Sequence, residues 1–147
     1  MTAVDRPEEL ASEQPAPEGP VQEEPAPEES VPGAPAPAGP VLAVLTTVDS
    51  PEAARELARD AVETRLAACA QVSGPVTSLY RWKDAVRTDQ EWQVLLKTTE
   101  AAYPALEARL IARHPYDTPE VIATPVVRGS ADYLAWVAAE VAEMAAG

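Results

Sequence analysis

The sequence predicts an α+β domain in which helices pack on a four-stranded antiparallel sheet. Three observations support this prediction. Short apolar runs rich in β-branched residues recur along residues 41–147, apolar residues at helical spacing lie between them, and two of the runs adjoin around a short polar break. The resulting order of elements is β-α-β-β-α-β-α, in which a hairpin between two crossovers builds a single antiparallel sheet.

The first strand and the first helix follow one another directly. Residues 41–48, VLAVLTTV, form a nearly continuous apolar run whose length and composition indicate a central strand buried on both faces. Ser50 can cap a helix through its hydroxyl group, and Pro51 suits the first helical turn, where no N–H is needed. Apolar residues then recur at helical spacing, which predicts a helix over residues 51–66.

The second and third strands form the predicted hairpin. Residues 69–82 and 91–99 carry apolar groups on both faces of an alternating pattern, and the polar segment 83–89 between them is predicted to turn. Gly74 and Pro75 interrupt the first of these strands, since Pro donates no hydrogen bond to a neighbouring strand. We therefore expect a bulge or bend at this point.

Two helices and one strand complete the domain. A second helix is predicted over residues 101–113 and ends before Pro115, which disfavours helical backbone at the residue preceding it. Residues 119–127 are predicted to form the fourth strand. A third helix follows Gly129, with apolar residues at helical spacing: Tyr133, Leu134, Val137, Ala138 and Val141. The predicted fold is a ferredoxin-like βαββαβ sandwich with an extra C-terminal helix.

One face of the predicted sheet has no helix to cover it. Both hairpin strands place apolar groups on both sides, and uncovered apolar sheet faces are rare in monomers. The long hairpin strands also offer edges with which a neighbouring chain can pair. We therefore expect the domain to cover this face by forming an oligomer.

The first 40 residues differ from the rest of the chain in composition. They hold ten of the 16 prolines and nine of the 24 acidic residues, with one base, Arg6, and no aromatic residue. Such a segment cannot bury enough apolar surface to offset its ordering entropy. We predict that residues 1–40 form a disordered acidic Pro/Ala/Glu-rich tail and that 41–147 form the folded domain. The tail could bind a basic partner, but a solubilising role is favoured.

Charge and cysteine content narrow the classes of partner and location. The net charge of −13 disfavours a nucleic-acid partner, because phosphate binding needs a basic face. No run approaches the roughly 20 apolar residues of a membrane span, and the first residues lack the pattern of a signal peptide. The single cysteine, Cys69, cannot form an intrachain disulfide. These features predict a cytoplasmic protein that does not enter a membrane.

Five stretches resemble the CutA family of divalent-cation tolerance proteins. They are RLAACAQV (65–72), VTSLYRWKD (76–84), EWQVLLKTT (91–99), HPYDTPEVIATPV (114–126) and DYLAWV (132–137). They occur in the family's order and spacing across nearly the whole predicted domain. The resemblance implies a ferredoxin-like homotrimer, related in architecture to the PII signalling proteins, with a role in tolerance of copper and other divalent metals. No catalysed reaction is established for the family, and its pattern has no counterpart of the acidic tail.

The resemblance also implies a copper site at three positions. The family's cysteine at the end of the first strand corresponds to Thr46, and its His-His pair before Pro-Tyr corresponds to Arg113 and His114. Thr is a poor ligand for a soft metal, and Arg cannot ligate because its guanidinium has no acceptor. His114 is therefore the candidate metal ligand, for Cu²⁺ or another divalent cation. Cys69 is interpreted as a small buried hydrophobic residue rather than a copper ligand.

The segment that follows His114 allows two interpretations. Tyr116, Asp117 and Glu120 could bind a cation together with His114. They could equally form a turn that ends the helix, in which Asp and Thr side chains bond to their own backbone. In both interpretations, His114 and Arg113 in the last helical turn interact favourably with the helix dipole.

The hairpin supplies further candidate ligand-binding residues. Tyr80 and Trp82 could stack on a ligand, although aromatic residues at strand spacing more often lie in a core or an interface. Glu91 and Lys97 lie on one face of a strand roughly 20 Å apart, so they cannot pair with each other but could line clefts between subunits. The predicted ligand cleft comprises Tyr80, Trp82, Glu91, Lys97, Tyr116 and Glu120.

Three classes of function remain open at this stage. The first, which the resemblance favours, is a trimeric metal-response or regulatory protein that binds a small ligand in clefts between subunits. The second is an enzyme that uses such a cleft, but the sequence contains no G-x-S-x-G, H-E-x-x-H, P-loop or GxGxxG motif. The third is a scaffold whose trimer presents three acidic tails to partners.

Removal of the tail provides a first test. A chain shortened to residues 41–147 should melt within a few degrees of the full-length chain, because the tail is predicted to bury no apolar surface. Thermal unfolding followed by circular dichroism measures the difference. A larger loss of Tm would show that the tail packs on the domain.

Overall fold

The computed structural model describes residues 40–146, with side chains up to Val141. Residues 1–39, which make up all of the predicted tail except Pro40, lie outside the described residues. Seven elements follow in the predicted order. The strands are β1 (Val41–Val48), β2 (Cys69–Trp82), β3 (Ala85–Thr99) and β4 (Val121–Val126). The helices are α1 (Pro51–Glu63), α2 (Tyr103–Arg113) and α3 (Ala131–Ala146).

The strands form one sheet in the order β2-β3-β1-β4, with antiparallel pairing throughout. This order and the two helical crossovers confirm the predicted ferredoxin-like fold. The helix boundaries shift by a few residues, and α1 ends at Glu63 rather than at 66. The reason is local, because Arg65 has a φ of 62° and helical backbone cannot continue through it.

The hairpin turn is shorter than the sequence predicted. The prediction of a turn over 83–89 was wrong for 85–89, which already pair with β2. Only Lys83 and Asp84 form the connection, with φ values of 52° and 66°. Positive φ at both residues is the geometry of a two-residue type I′ turn, for which Asn-Gly is the usual signal. Lys-Asp lacks that signal, and therefore the sequence did not reveal where the turn begins.

The expected interruption in β2 is present. The register shifts between Ser73 and Val76, so that β2 bends at Gly74 and Pro75. Gly74 has a φ of 146°, and a Cβ atom built on it would lie 2.6 Å from the Trp92 ring. A larger residue would therefore clash with β3, which explains the need for glycine at this bend.

The main hydrophobic core lies between the sheet and helices α1 and α2. Alternate residues of β1 and β3 point toward these helices and are almost fully buried. Burial of one such Leu or Val side chain contributes about 1.5–3 kcal/mol. The buried core residues are Leu42, Val44, Val48, Ala54, Leu57, Ala61, Leu66, Ala67, Val94, Leu96, Leu106 and Leu110.

The opposite sheet face is covered at one end only. Helix α3 packs there, and Val137 and Val141 join Val41, Ala68 and Ala102 in a second buried cluster. The expectation of an entirely bare face was therefore wrong at this end, because α3 crosses to the side away from α1 and α2. No helix in the described part of the chain is long and apolar enough to cross a bilayer.

An ion pair links the two helices of the main layer. Arg109 of α2 donates two hydrogen bonds of 2.8 Å to the carboxylate of Asp60 in α1. Arg113 lies 3.6 Å from the same carboxylate. The hydrogen bond to Arg109, with the charges of Arg109 and Arg113, holds the pKa of Asp60 below its usual value near 3.8.

Asp60→Asn should lower Tm at neutral pH and leave stability unchanged in strong acid. A carboxyl with a lowered pKa in the folded state contributes stability above its unfolded pKa of about 3.8, and this contribution is lost as the pH falls through its folded value. The difference in Tm between the two proteins should therefore shrink below about pH 4.

The matched control is Glu63→Gln, which removes the exposed pair of Glu63 with Arg59 at 3.5 Å. Exposed pairs of this kind contribute little, so this variant should show a small effect at every pH. Thermal unfolding between pH 2 and 7 compares the two. A constant difference for Asp60→Asn across that range would contradict the proposed role of the carboxylate.

Candidate functional site

A cleft opens where the hairpin extends beyond β1. The last residue of β1, Val48, pairs with Trp92, so the part of the hairpin before Trp92 has no β1 neighbour. The segment after α2 lies beside it. The cleft has a volume of about 510 Å³. Its lining residues are Thr47, Ser78, Leu79, Tyr80, Trp82, Glu91, Tyr116, Asp117, Thr118 and Glu120.

The sequence predicted six residues of a ligand cleft. Five of them line this cavity, namely Tyr80, Trp82, Glu91, Tyr116 and Glu120. The sixth, Lys97, does not. It pairs with Cys69 and Ala43 toward the far end of β3, roughly 20 Å from Glu91 at the rise of a strand. Sequence reasoning missed Thr47, Ser78, Leu79 and Thr118 as lining residues, and the alternation of β1 and β2 was the signal that could have suggested the first two.

The pairing of β2 with β3 places the hairpin side chains in the cleft. Val76 lies opposite Glu91, and Tyr80 lies opposite Arg87. Since paired residues point to the same side of a sheet, Tyr80, Trp82 and Glu91 share the face away from α1 and α2. The hydroxyl of Tyr80 donates a hydrogen bond to Asp89 on that face.

His114 holds the second wall of the cleft to the sheet. It is the cap residue at the end of α2 and only 8% exposed. Its Nε2 lies 2.8 Å from the carbonyl oxygen of Thr47, and its Nδ1 lies 3.1 Å from the backbone nitrogen of Tyr116. Because Nδ1 accepts the Tyr116 N–H, the ring proton is at Nε2 and is donated to Thr47. Both ring nitrogens are therefore engaged within the protein.

Tyr116 connects the loop to the hairpin. Its hydroxyl donates a 2.8 Å hydrogen bond to Glu91, and its ring lies 4.8 Å from that of His114. Burial, the hydrogen bond to Glu91 and the nearby negative charge raise the pKa of Tyr116 well above its usual value of 10. The phenol therefore stays neutral and keeps donating to Glu91. The hydroxyl of Thr47 lies 3.4 Å from Glu120 at the other side of the cleft.

The three positions of the implied copper site do not form a ligand set. Thr46 is completely buried on the side of the main core, and its hydroxyl has no hydrogen-bond partner among the described residues. Arg113 pairs with Asp60 in α1, and both nitrogens of His114 are engaged. No group of three or more His, Cys, Asp or Glu residues within the described range could hold a metal ion. These residues therefore do not fit copper.

Cys69 lies apart from the cleft, at the start of β2. It is half-buried, and its sulfur lies 3.3 Å from the hydroxyl oxygen of Tyr133 in α3. The hydrogen bond with Cys69, together with burial, raises the pKa of Tyr133 to about 12. The contact joins α3 to the sheet, which gives Cys69 a structural role.

A model of the CutA1 divalent ion tolerance protein family matches residues 42–140. This chain belongs to that family. The match extends from β1 into α3, so it includes every segment that lines the cleft. The family resemblance recognised in the five sequence stretches is confirmed.

Named relatives of known sequence agree with this assignment. The divalent-cation tolerance protein CutA of Thermus thermophilus is 48% identical over 94 residues, which cover 64% of this chain and 91% of the relative. Protein CutA of mouse is 41% identical over 99 residues, which cover 67% of this chain and 56% of the relative. The chain thus spans nearly all of the bacterial relative and about half the length of the mammalian one.

Solved structures of CutA proteins share the fold. The divalent cation tolerance protein of Thermus thermophilus superposes with a TM-score of 0.67 at 45% identity, covering 68% of this chain and 97% of that chain. CutA1 of Oryza sativa gives a TM-score of 0.68 at 37% identity, covering 70% and 94%. The similar structure from Archaeoglobus fulgidus is described as a periplasmic divalent cation tolerance protein.

His114→Ala tests whether the ring acts as a structural bridge. The substitution leaves the Thr47 carbonyl and the Tyr116 N–H without their partner, which should cost about 1–3 kcal/mol of unfolding free energy. Denaturant unfolding measures this loss. Isothermal titration with Cu(II), and with Cu(I) under reducing conditions, should give the same affinity for both proteins.

The matched comparison is the double variant Thr46→Cys with Arg113→His. It introduces the thiol and the second imidazole that the family resemblance implies and that Thr46 and Arg113 do not provide, and it should therefore bind copper more tightly than the natural chain. A submicromolar copper site in the natural chain that disappears in His114→Ala would show that the histidine is a ligand.

Proposed function

We propose that this CutA-family protein acts in divalent-cation tolerance as a homotrimeric ligand-binding module of the PII type, without catalysing a reaction. The observation that supports this proposal is the convergence of five predicted ligand-binding side chains on one cleft. They come from β2, β3 and the loop after α2, which are distant in sequence. Hydrogen bonds between those segments pre-form the cleft, as expected of a small-molecule site.

The exposed part of the sheet supports assembly with other copies of the chain. Leu45 and Leu95 are only half-buried on the face away from α1 and α2, and Ile122 at the edge strand is 49% exposed. Leu79 and Val86 of the hairpin are also exposed, but they alternate with Tyr80 and Arg87 and therefore lie on the opposite face. The uncovered apolar surface favours a protein partner, and in the proposed trimer other copies of the chain cover it. A neighbouring copy would then close the open side of the cleft.

The role in metal tolerance is proposed to depend on ligand binding in the cleft rather than on copper held by Thr46, Arg113 and His114. The side chains at these positions bond within the fold or lack a suitable ligand atom, as described above. The cleft itself carries Glu91, Asp117 and Glu120, which favour a positively charged ligand.

An enzymatic role has less support from the geometry. The cleft contains Ser78, Thr47 and Thr118 as hydroxyl groups, but the histidine beside it is engaged on both nitrogens and cannot act as a base for them. A scaffold role would depend on the acidic tail, which lies outside the described residues. The cytoplasmic location predicted from the sequence stays a prediction, since a relative in Arabidopsis is named chloroplastic.

Ligand binding should depend on assembly if a second copy completes the cleft. The full-length chain should sediment as a trimer at micromolar concentration, and Ile122→Asp should dissociate it by placing a charge in the apolar contact. Titration calorimetry against divalent cations and small-molecule ligands should detect saturable binding to the trimer. The same titration of Ile122→Asp should show binding weakened at least tenfold, about 1.4 kcal/mol.

Ile111→Asp provides the matched control, because Ile111 is 47% exposed but lies on α2, away from the uncovered sheet face. It should leave both sedimentation and binding unchanged. A stable monomer of the unmutated protein, or a trimer that binds none of the ligands, would overturn the proposed function.

A further inference from the structure

The cleft combines aromatic walls with carboxylates, and its lining, all within the described part of the chain, contains no basic residue. Tyr80, Trp82 and Tyr116 supply three rings, and Glu91, Asp117 and Glu120 supply three carboxylates. A site of this composition attracts a cation and also offers it ring faces and apolar surface.

The dimensions of the cleft favour an organic ligand over a bare metal ion. Its volume of about 510 Å³ lies within the range of roughly 300–1,000 Å³ that is usual for organic ligands. A metal ion instead needs several ligand atoms that converge within about 2–2.6 Å of one point. The acidic residues along the cleft do not converge in this way, since no metal-holding group of three occurs among the described residues.

Hydrogen bonds fix the carboxylates without neutralising them. Glu91 accepts from the neutral hydroxyl of Tyr116 at 2.8 Å, and Glu120 lies 3.4 Å from the hydroxyl of Thr47. Each bond engages one carboxylate oxygen with a neutral donor, so the negative charge remains. Burial raises the pKa of Tyr116 most, and the hydrogen bond and charge of Glu91 raise it further, so the Tyr116 hydroxyl keeps its proton and donates to Glu91.

We propose that the cleft binds an organic ammonium ion, with its N–H groups on Glu91 and Glu120 and its hydrocarbon part against Tyr80 and Trp82. This inference rests on the proposed function of the cleft as a ligand-binding site and specifies the class of ligand. Ammonium hydrogens match carboxylate oxygens, since the ammonium group has only donors and the carboxylate only acceptors. The alkyl chain would cover the ring of Trp82, which is 46% exposed.

A ligand series on the full-length protein tests this chemistry. Titration calorimetry should detect binding of n-butylamine and tighter binding of putrescine, whereas n-butanol, of similar shape but uncharged, should not bind. Affinity should fall as salt rises, because the attraction is screened. Nα-acetyl-lysine amide has the free ammonium group of a lysine side chain in a protein. Tighter binding of this compound than of n-butylamine would indicate a lysine of a protein partner, and weaker binding would indicate a free amine.

Conservative variants separate charge from structure. Glu91→Gln keeps an oxygen that can accept from Tyr116 but removes the charge, so amine affinity should fall roughly tenfold. Glu63→Gln removes a carboxylate of α1 that does not line the cleft and should change nothing. Arg87 pairs with Tyr80 on the neighbouring strand, and its positive charge repels a bound cation. Arg87→Gln should therefore tighten amine binding.

Tryptophan variants test the aromatic wall. Trp82→Ala should weaken amine binding about two- to fivefold through loss of the ring face. Trp82→Phe should keep most of the affinity but abolish the change in tryptophan fluorescence on binding, since the reporter is removed. Trp136→Phe is the matched control, because Trp136 is 43% exposed on α3 and does not line the cleft, so it should retain both affinity and fluorescence change.

The outcomes separate this inference from the proposed function. If no amine binds, or if Glu91→Gln and Glu63→Gln affect amine binding equally, the inference is wrong. If a divalent cation or an anionic small molecule binds with a dependence on Glu91 and Trp82 while amines do not, the inference is wrong and the proposed ligand-binding function stands. If neither amines nor any other ligand binds the trimer, both are wrong.

Discussion

The difference in length between the strands is the constraint on which most of this structure depends. Strand β1 has 8 residues, whereas β2 and β3 have 14 and 15. The central strand therefore ends opposite Trp92, and the hairpin continues without a neighbour beyond that point. The unpaired extension exposes both of its faces and leaves room beside it. The cleft and the exposed apolar residues of the hairpin, Leu79 and Val86, follow from this mismatch.

A single imidazole turns the space beside the hairpin into a defined cavity. His114 bridges the end of β1 and the loop after α2, and this contact holds Tyr116 where its hydroxyl reaches Glu91. Without the bridge, the loop would be connected to the sheet mainly through the short strand that follows it. The same bridge occupies the nitrogen lone pair that a metal would need. Structural support of the cleft and direct copper ligation by His114 are thus competing uses of one side chain.

The two arginines near the end of α2 also have a structural role. Arg109 and Arg113 both contact Asp60 and hold α2 against α1 through charge as well as through the apolar core. The guanidinium of Arg113 lies 3.6 Å from the Asp60 carboxylate and adds its charge to the pair, whereas an imidazole at this position has a shorter reach. On the other side of the sheet, α3 is held by its own apolar cluster and by the contact of Tyr133 with Cys69.

Local patterns in the sequence determined the order of the elements, the buried central strand, the bend at Gly74 and the family. Strand alternation and helical spacing are patterns of residues close together in the sequence, so they can be recognised without knowledge of the tertiary structure. Tyr80 and Trp82 could be placed on one face of their strand for the same reason, but only the register of β2 with β3 shows that Glu91 shares this face. The turn was misplaced because Lys83 and Asp84 adopt positive φ without the usual glycine.

Contacts between distant segments were decided by the tertiary structure alone. His114 and Thr47 lie 67 positions apart, and Tyr116 and Glu91 lie 25 apart, so neither hydrogen bond has a local signature. Lys97 and Glu91 share a strand face, yet only the end of β1 determines that Glu91 borders the cleft and Lys97 does not. The side of the sheet that α3 covers also depends on the path of the chain after β4. The residue types determined which functional groups were available, and the packing of the sheet decided which of these groups meet.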